Sequence, residues 1–158
     1  MKKFIKELIP YIIIIISVVI IRTFIVTPVR VDGVSMSPTL ENNEILILNK
    51  VDKSYNRFDV IVFNYNNEKL VKRIIGLPGE TIKVKDNKLY INNKYINEEF
   101  THRLTDDYEY ERVIPSNTYF VMGDNRSNSL DSRFIGPINK QNIEGTVNIS
   151  LLPLKKIK

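Results

Sequence analysis

An uncharged apolar run near the amino terminus constrains the fold of this chain more than any other feature. Residues 8–21 carry no charge, and extending the run to Val26 adds Arg22 as its one charged residue. As a helix, residues 8–26 would rise roughly 28 Å, close to the ~30 Å hydrocarbon core of a bilayer. The long side chain of Arg22 can reach the interface. The sequence therefore predicts one transmembrane helix at residues 8–26.

Two other interpretations of this run stay open on the sequence alone. A cleaved signal peptide has the same order of basic and apolar residues, but it needs small residues after the apolar run. Residues 22–30 offer no such pattern. A buried core helix would carry a polar face, which the succession of branched residues does not provide. An uncleaved anchor fits the pattern best.

The basic residues around the run predict its orientation. Lys2, Lys3 and Lys6 precede the apolar segment, and such residues favour the cytoplasmic side of a membrane. We therefore expect a single-pass protein of the cell membrane. Residues 1–7 would be cytoplasmic, and residues 27–158 would form the extracytoplasmic domain.

The remaining composition excludes several classes of function. The chain has no cysteine, which excludes disulfides, thiolate metal sites and cysteine nucleophiles. One histidine, His102, is too few for a histidine-rich metal site. The net charge of +5 comes from interspersed signs, whereas nucleic-acid-binding proteins cluster their basic residues. We expect no metal, no cofactor and no nucleic-acid partner, and an anionic lipid bilayer accounts for the excess of basic residues.

From Val29 onward the sequence predicts an all-β domain of antiparallel sheets. Short stretches rich in Ile, Val and Tyr alternate with turn residues, and no spacing typical of a βαβ unit is present. Asp86-Asn87 and Asn92-Asn93 can each form a tight hairpin turn. Residues 97–114 are polar and predict an exposed excursion, and the tail from Leu151 is expected to be solvated or to touch the membrane surface. The candidate strands are Val29–Asp32, Glu44–Lys50, Asp59–Asn64, Lys69–Ile75, Thr81–Lys85, Lys88–Ile91, Tyr119–Met122 and Thr146–Leu151.

Three separated residues suggest a hydrolase that uses a serine and a lysine. They are Ser35, Lys72 and Ser129, and each would carry little weight alone, because isolated serines and strand lysines are common. Their joint occurrence carries more weight, and four boxes in a fixed order contain these residues or lie between them. These boxes are Ser35-Met36-Ser37-Pro38-Thr39, Arg57-Phe58-Asp59-Val60-Ile61-Val62-Phe63, Lys72-Arg73-Ile74-Ile75-Gly76-Leu77-Pro78-Gly79-Glu80 and residues 122–133.

These four boxes, behind one anchor, resemble those of the bacterial type I signal peptidases, and the resemblance covers nearly the whole chain. The short body is similar to the compact Gram-positive branch. The resemblance implies a membrane-bound serine endopeptidase that removes signal peptides from exported preproteins. It makes Ser35 the nucleophile and Lys72 the general base, held by a hydrogen bond from Ser129. The implied supporting residues are Arg73, the Asp131–Arg133 ion pair, and Asp124, Asn125 and Arg126 as turn residues that fix Ser129.

The chemistry of a lysine base agrees with this resemblance. Cleavage of an amide by a hydroxyl requires a group that removes the hydroxyl proton. An ordinary lysine, with a pKa of ~10.4, is neutral in roughly one molecule per thousand near pH 7.4. We expect burial among apolar neighbours such as Leu70, Val71 and Ile74 to lower the pKa of Lys72 and to populate the free amine.

The oxyanion hole is the point at which the chain departs from part of the family. In the Gram-negative branch, a serine hydroxyl two residues before the nucleophile completes the hole, and here that position is Gly33. The backbone N–H of Ser35 is one expected donor, and the second donor stays unidentified. Glycine at this position is similar to the Gram-positive branch.

The resemblance also implies how a substrate is recognised. Matching positions in the family line shallow pockets for small residues at positions −1 and −3 of a signal peptide, and an extended peptide can pair with the strands that carry them. The protein-export machinery is an expected partner. An ordinary role in the core is the alternative for each pocket residue. The five positions are Val29, Val31, Leu40, Leu70 and Val71.

Three other functions fit the sequence less well. A self-cleaving protein could use the same two residues, but the anchor and the lack of a DNA-binding domain argue against it. An inactive peptide-binding domain would be expected to lack Ser35 or Lys72, and both are present. A serine–histidine enzyme would need His102, which lies outside every matched box.

Overall fold

The computed structural model describes residues 2–101 and 104–157, with side chains from Glu7 onward. Helix α1 spans Lys2–Ile20 and continues as a π-helical turn over Ile21–Ile25. Residues 7–25 are long and apolar enough to cross a membrane, and none of them is buried against the rest of the described chain. The helical segment ends one residue earlier than predicted, because Val26 already pairs with Asn49 as the first residue of a strand.

The body confirms the predicted class of antiparallel β-structure behind one apolar helix. Strands β1 to β4 are Val26–Arg30, Ile45–Asn49, Val60–Tyr65 and Glu68–Gly76. Strands β5 to β8 are Ile82–Lys85, Lys88–Ile91, Lys94–Ile96 and Tyr108–Tyr110. Strands β9 to β12 are Thr118–Met122, Ile138–Asn139, Ile143–Leu152 and Leu154–Lys156, and the short helix α2 spans Ser132–Ile135.

The strands form two sheets. The larger one has the order β1-β2-β11-β3-β4-β9-β10, with β12 paired to β11, and the smaller one has the order β7-β6-β5-β8. Strand β3 lies at the centre of the larger sheet, and its residues Val60, Ile61, Val62 and Phe63 are buried on both faces. This explains why β3 reads as a continuous apolar run rather than as an alternating pattern.

Asparagine-rich turns connect neighbouring strands. Asp86 and Asn87 have φ values of 49° and 59° between β5 and β6, and Asn92 and Asn93 have φ values of 50° and 62° between β6 and β7. Asn and Asp tolerate this left-handed region better than most residues. Both predicted hairpin turns are therefore confirmed.

Several segments differ from the sequence-based expectation, and β7, β10 and α2 were not predicted. The predicted excursion at 97–114 contains β8, which pairs with β5, and its last residue, Ile114, is buried in the core. The tail is largely exposed, as expected of a solvated segment, but it is ordered, because β12 pairs with β11 and Lys155 contacts the buried Glu44 carboxylate. Leu154 itself is 80% exposed. His102, in the excursion, lies outside the described residues.

Candidate active site

The loop between β1 and β2 carries the predicted nucleophile. Met36 and Leu40 are buried in the core and are joined by a backbone hydrogen bond of 2.9 Å from the Leu40 N–H to the Met36 carbonyl. These two apolar side chains fix the loop on the sheet, and half-buried Ser35 lies immediately before them. Gly33 has a φ of +96°, a value that favours glycine.

Strand β4 brings Lys72 to this serine. The Lys72 side chain is almost fully buried, with 2% exposure, and its Nζ lies 2.8 Å from Ser35 Oγ. Nζ also donates a hydrogen bond of 2.9 Å to the carbonyl of Val71. The fold thus joins two residues that are 37 positions apart in the sequence.

The surroundings of Lys72 change its protonation. Burial lowers the pKa of its ammonium group from 10.5 to about 8, because the charged form loses its hydration. The buried carboxylates of Asp131 and Asp124 act in the opposite direction, since they favour a nearby positive charge. Desolvation is the larger of these effects, so the net result is a lowered pKa. A lysine that acts as a base requires a change in this direction.

The loop after β9 packs directly on the nucleophile loop. Gly123 makes the close approach possible, since a Cβ at this position would lie 2.5 Å from the Ser35 carbonyl oxygen and 2.3 Å from Ser129 Oγ. Asn125, which is 2% exposed, donates from its backbone N–H to the Ser35 carbonyl at 3.0 Å. A second bond of 3.1 Å joins Asn125 Nδ2 to the Val34 carbonyl.

Ser129 lies in this loop, but it does not make the predicted contact. Its Oγ is buried and has no hydrogen-bond partner among the described residues. The expected hydrogen bond to Lys72 is therefore absent from this structure, and the Val71 carbonyl holds Nζ instead. Gly123 leaves room for the Ser129 side chain at this point, because a Cβ there would lie 2.3 Å from Ser129 Oγ.

Two buried ion pairs support the site. Asp131 receives hydrogen bonds of 2.9 Å from Nε and NH2 of Arg133 and a further one of 3.0 Å from the Gly123 N–H. Arg73 forms a bidentate pair with Asp124, with distances of 2.9 and 2.7 Å, and both side chains are fully buried. The pair that includes Arg73 ties the strand of the base to the loop after β9.

Residues in the excursion, which was predicted to be exposed, pack against Arg73 and the loop after β9. The ring of Phe100 lies 4.2 Å from the Arg73 guanidinium carbon, and Glu98 pairs with Arg126. Thr101 donates a hydrogen bond of 3.0 Å to the Asp124 carbonyl. Phe100 is the one aromatic residue between positions 97 and 107, which is the signal that could have indicated a buried contact in this polar stretch.

The predicted substrate-pocket residues divide into two groups. Val31 and Leu40 are core residues, with exposures of 4% and 0%, so neither presents a surface to a peptide. Leu70 packs with Tyr55 and Phe63 in a different cluster from the other four. Val29 and Val71 are half-buried and pack against the same cluster as Val31. Leu70 is half-buried as well, but Val29 and Val71 share one cluster, and Val71 immediately precedes Lys72.

Two backbone donors near Gly33 bear on the oxyanion hole. The N–H of Ser35 donates to none of the described residues, so it is available to a ligand. The N–H of Gly33 donates to Asn42 Oδ1 at 3.0 Å. This N–H is thus already engaged within the loop.

Comparisons with known proteins identify the family of this chain. The family model described as "Signal peptidase, peptidase S26" matches residues 1–152. The chain is 41% identical to signal peptidase I of Bacillus amyloliquefaciens, over 93% of this chain and 87% of the relative. It is also 41% identical to signal peptidase I S of Bacillus subtilis (strain 168), over 88% of this chain and 84% of the relative.

A solved structure extends the comparison to three dimensions. The crystal structure of a signal peptidase I from Enterococcus faecalis V583 is 35% identical, with a TM-score of 0.55. The superposition covers 59% of this chain and 96% of that one. The chain therefore belongs to the signal peptidase family, peptidase S26. It is a peptidase of the signal peptidase I type, and the relatives in Bacillus agree with the resemblance to the Gram-positive branch.

Proposed function

We propose that this chain is a membrane-anchored serine endopeptidase that cleaves signal peptides with Ser35 as nucleophile and neutral Lys72 as general base. The observation that carries the proposal is the 2.8 Å separation of Lys72 Nζ and Ser35 Oγ in a buried setting. A pKa of about 8 leaves about one-tenth of Lys72 neutral at pH 7. An unperturbed lysine would supply far less free amine.

The proposed reaction proceeds in two stages. Ser35 Oγ attacks the scissile carbonyl carbon and forms a C–O bond, while its proton passes to Lys72 Nζ. The resulting oxyanion accepts a hydrogen bond from the Ser35 N–H. The Lys72 ammonium then protonates the leaving amine, the C–N bond breaks, and an acyl-enzyme remains. In the second stage, Lys72 takes a proton from water as the water oxygen attacks the ester carbon. The C–O bond to Ser35 then breaks, Lys72 returns the proton to Ser35 Oγ, and the carboxyl product leaves.

The edge of the larger sheet supports binding of an extended peptide. Strand β1 pairs with β2 on one side and lies at the end of the sheet order, so its other edge can accept an added strand. Val29 on β1 and Val71 on β4 are half-buried apolar residues that pack against the same core cluster, and Val71 adjoins Lys72 in the sequence. We propose that they contact small residues at positions −1 and −3 of a signal peptide.

The strand register supports a site close to the bilayer. Val26, the first residue after the anchor helix, pairs with Asn49, which pairs with Thr146. Thr146 pairs with Ile61, and Ile61 pairs with Lys72. The base thus lies on the row of the sheet that begins at the anchor, four strands or roughly 19 Å away. We propose that the body lies on the extracytoplasmic side, where an inserted signal peptide emerges beside the export machinery.

The test is cleavage of an exported preprotein by the full-length protein in detergent, followed by sequencing of the new amino terminus. We expect cleavage after a small residue, and we expect Ser35→Ala and Lys72→Ala to be inactive. Ser37→Ala is the matched control, since it removes a neighbouring hydroxyl whose partner is Glu41. Full activity of Ser35→Ala, or loss of activity in His102→Ala with Lys72→Ala active, would overturn the proposal.

The orientation has its own test. A cysteine placed at exposed Asn128 should react with a membrane-impermeant thiol reagent in intact cells, because the chain has no native cysteine. A cysteine at Lys3, which precedes the apolar run, serves as the control and should react only after the cells are opened. The reverse pattern would place the body in the cytoplasm and contradict the proposed location.

A further inference from the structure

Asn125 makes an unusual pair of contacts with the nucleophile loop. Its backbone N–H and its side-chain amide donate to two successive carbonyls, those of Ser35 and Val34, at 3.0 and 3.1 Å. The residue is 2% exposed. Ser127 Oγ lies 3.3 Å from Asn125 Oδ1 and donates to it, which orients the amide so that Nδ2 faces Val34. A turn residue that served only its own loop would not need a side-chain donor aimed at Val34.

The contact with Val34 determines where the next N–H points. In a trans peptide the C=O and the following N–H point in opposite directions. Because the Val34 carbonyl points toward Asn125, the Ser35 N–H points away from Asn125. That N–H donates to none of the described residues.

We infer that Asn125 is a positioning residue that orients the Ser35 N–H toward the oxyanion of the transition state. This inference rests on the proposed function, in which that N–H stabilises the oxyanion. The Val34 carbonyl also accepts a bond of 3.1 Å from the Ser37 N–H, so Asn125 is one of two restraints on the peptide. Loss of its side chain should misalign the donor rather than remove it.

The expected loss of turnover follows from the fact that two hydrogen bonds restrain the Val34 carbonyl. Deleting an oxyanion donor outright costs about 100- to 1,000-fold in turnover. A donor that remains but loses one of two restraints should cost less, and we expect about a tenfold fall in kcat with KM unchanged. Binding of the uncleaved peptide should not change, since the oxyanion forms only during the reaction.

The test compares two probes on full-length protein in detergent. A peptide aldehyde with small residues at positions −3 and −1 forms a hemiacetal, in which Ser35 Oγ bonds to the aldehyde carbon and the carbonyl oxygen enters the oxyanion hole. The matching peptide alcohol binds without forming this bond. The ratio of the two affinities therefore measures stabilisation of the tetrahedral adduct apart from binding of the peptide.

The decisive variants are Asn125→Ala and the isosteric Asn125→Asp, whose carboxylate cannot donate to Val34. Asn128→Ala in the same loop is the control, because its exposed side chain has no hydrogen bond among the described residues. All are compared at the alkaline plateau of activity, where Lys72 is neutral in each, and each is checked by its thermal midpoint.

We expect both Asn125 variants to lose about tenfold of the preference for the aldehyde while the affinity for the alcohol stays the same. An unchanged preference for the aldehyde in a folded variant would overturn the inference. An equal loss of affinity for both probes would also overturn it, because Asn125 would then support the surface that binds the peptide. Should only one Asn125 variant fold, the same comparison decides on that variant. A wild-type protein without any preference for the aldehyde would instead refute the proposed function.

Discussion

Replacing Lys72 by methionine should abolish activity and stabilise the folded protein at neutral pH. Lysine and methionine have unbranched side chains, and methionine places no ionisable group at a site that is 2% exposed. In the wild-type protein at pH 7, folding buries an ammonium group whose hydration is lost. The variant avoids this cost, so its free energy of unfolding should exceed that of the wild type.

The size of the effect and its dependence on pH follow from the two pKa values of Lys72. The pKa is about 8 in the folded protein, against 10.5 in the absence of burial. Below pH 8 both states bind the proton, and the full penalty of about 3 kcal/mol applies. Between pH 8 and 10.5 the unfolded chain binds more protons than the folded one, so the stability of the wild type rises with pH. The advantage of Lys72→Met should therefore shrink by about 2 to 3 kcal/mol between pH 7 and pH 10.

Chemical denaturation of both proteins in one detergent, followed by far-ultraviolet circular dichroism at several pH values, measures this difference. Every other titrating group is shared, so its contribution cancels when the two free energies are subtracted. A difference in stability that does not change with pH would refute the reasoning, because Lys72 would then have the same pKa in both states. A difference that grows with pH would show that the folded protein favours the ammonium form.

Three further substitutions test the surroundings of the dyad. Gly123→Ala should reduce turnover at least about 100-fold, because the alanine Cβ would lie 2.5 Å from the Ser35 carbonyl oxygen. Normal turnover would show that the loop after β9 need not approach the Ser35 loop so closely. Ser129→Ala should leave the thermal midpoint unchanged, because the Ser129 hydroxyl is unpaired. Turnover should fall tens- to thousands-fold if that hydroxyl orients Lys72 during the reaction. Unchanged turnover would leave the Val71 carbonyl as the group that holds Lys72. Asp131→Asn should destabilise the protein by about 3 kcal/mol, because it breaks a buried ion pair. The midpoint of the pH–rate profile should move toward acid, because the Asp131 carboxylate raises the pKa of Lys72. A midpoint that moves toward alkaline pH would contradict that role.

The sequence predicted those parts of the molecule that are determined locally or by a specific motif. The apolar run near the amino terminus predicted a helix, because its length and lack of charge leave few other structures. Asp86-Asn87 predicted a hairpin, because both residues tolerate positive φ. The pairing of Ser35 with Lys72 came from the resemblance to a family, since nothing in the local sequence of either residue indicates the other.

The features that were missed depend on contacts between distant parts of the chain. Strands β8 and β12 have three residues each, which is too short for a period of two to be recognised. They exist because β5 and β11 offer them an edge for pairing. The position of Phe100 over Arg73 likewise depends on the fold, because a buried guanidinium needs a cover that only tertiary packing provides.

The differences between the predicted and the observed site also come from contacts between distant parts of the chain. Val31 and Leu40 match positions that could line a pocket, but the core of this chain takes up both side chains. Ser129 lies beside the loop that carries Ser35, yet its Oγ has no partner among the described residues, and Lys72 Nζ donates to the Val71 carbonyl. A linear sequence identifies residues that come close together, but it does not determine which of two nearby acceptors binds Nζ.

The pH dependence of kcat/KM for preprotein cleavage tests most directly whether neutral Lys72 activates Ser35. Because the reaction needs the free amine, the rate should rise with pH, reach half its maximum near the pKa of about 8, and then stay level in the alkaline range. The full-length protein in detergent is the appropriate sample, with Lys72→Ala as the inactive control. A midpoint near 6.5, the ordinary pKa of histidine, would contradict the account.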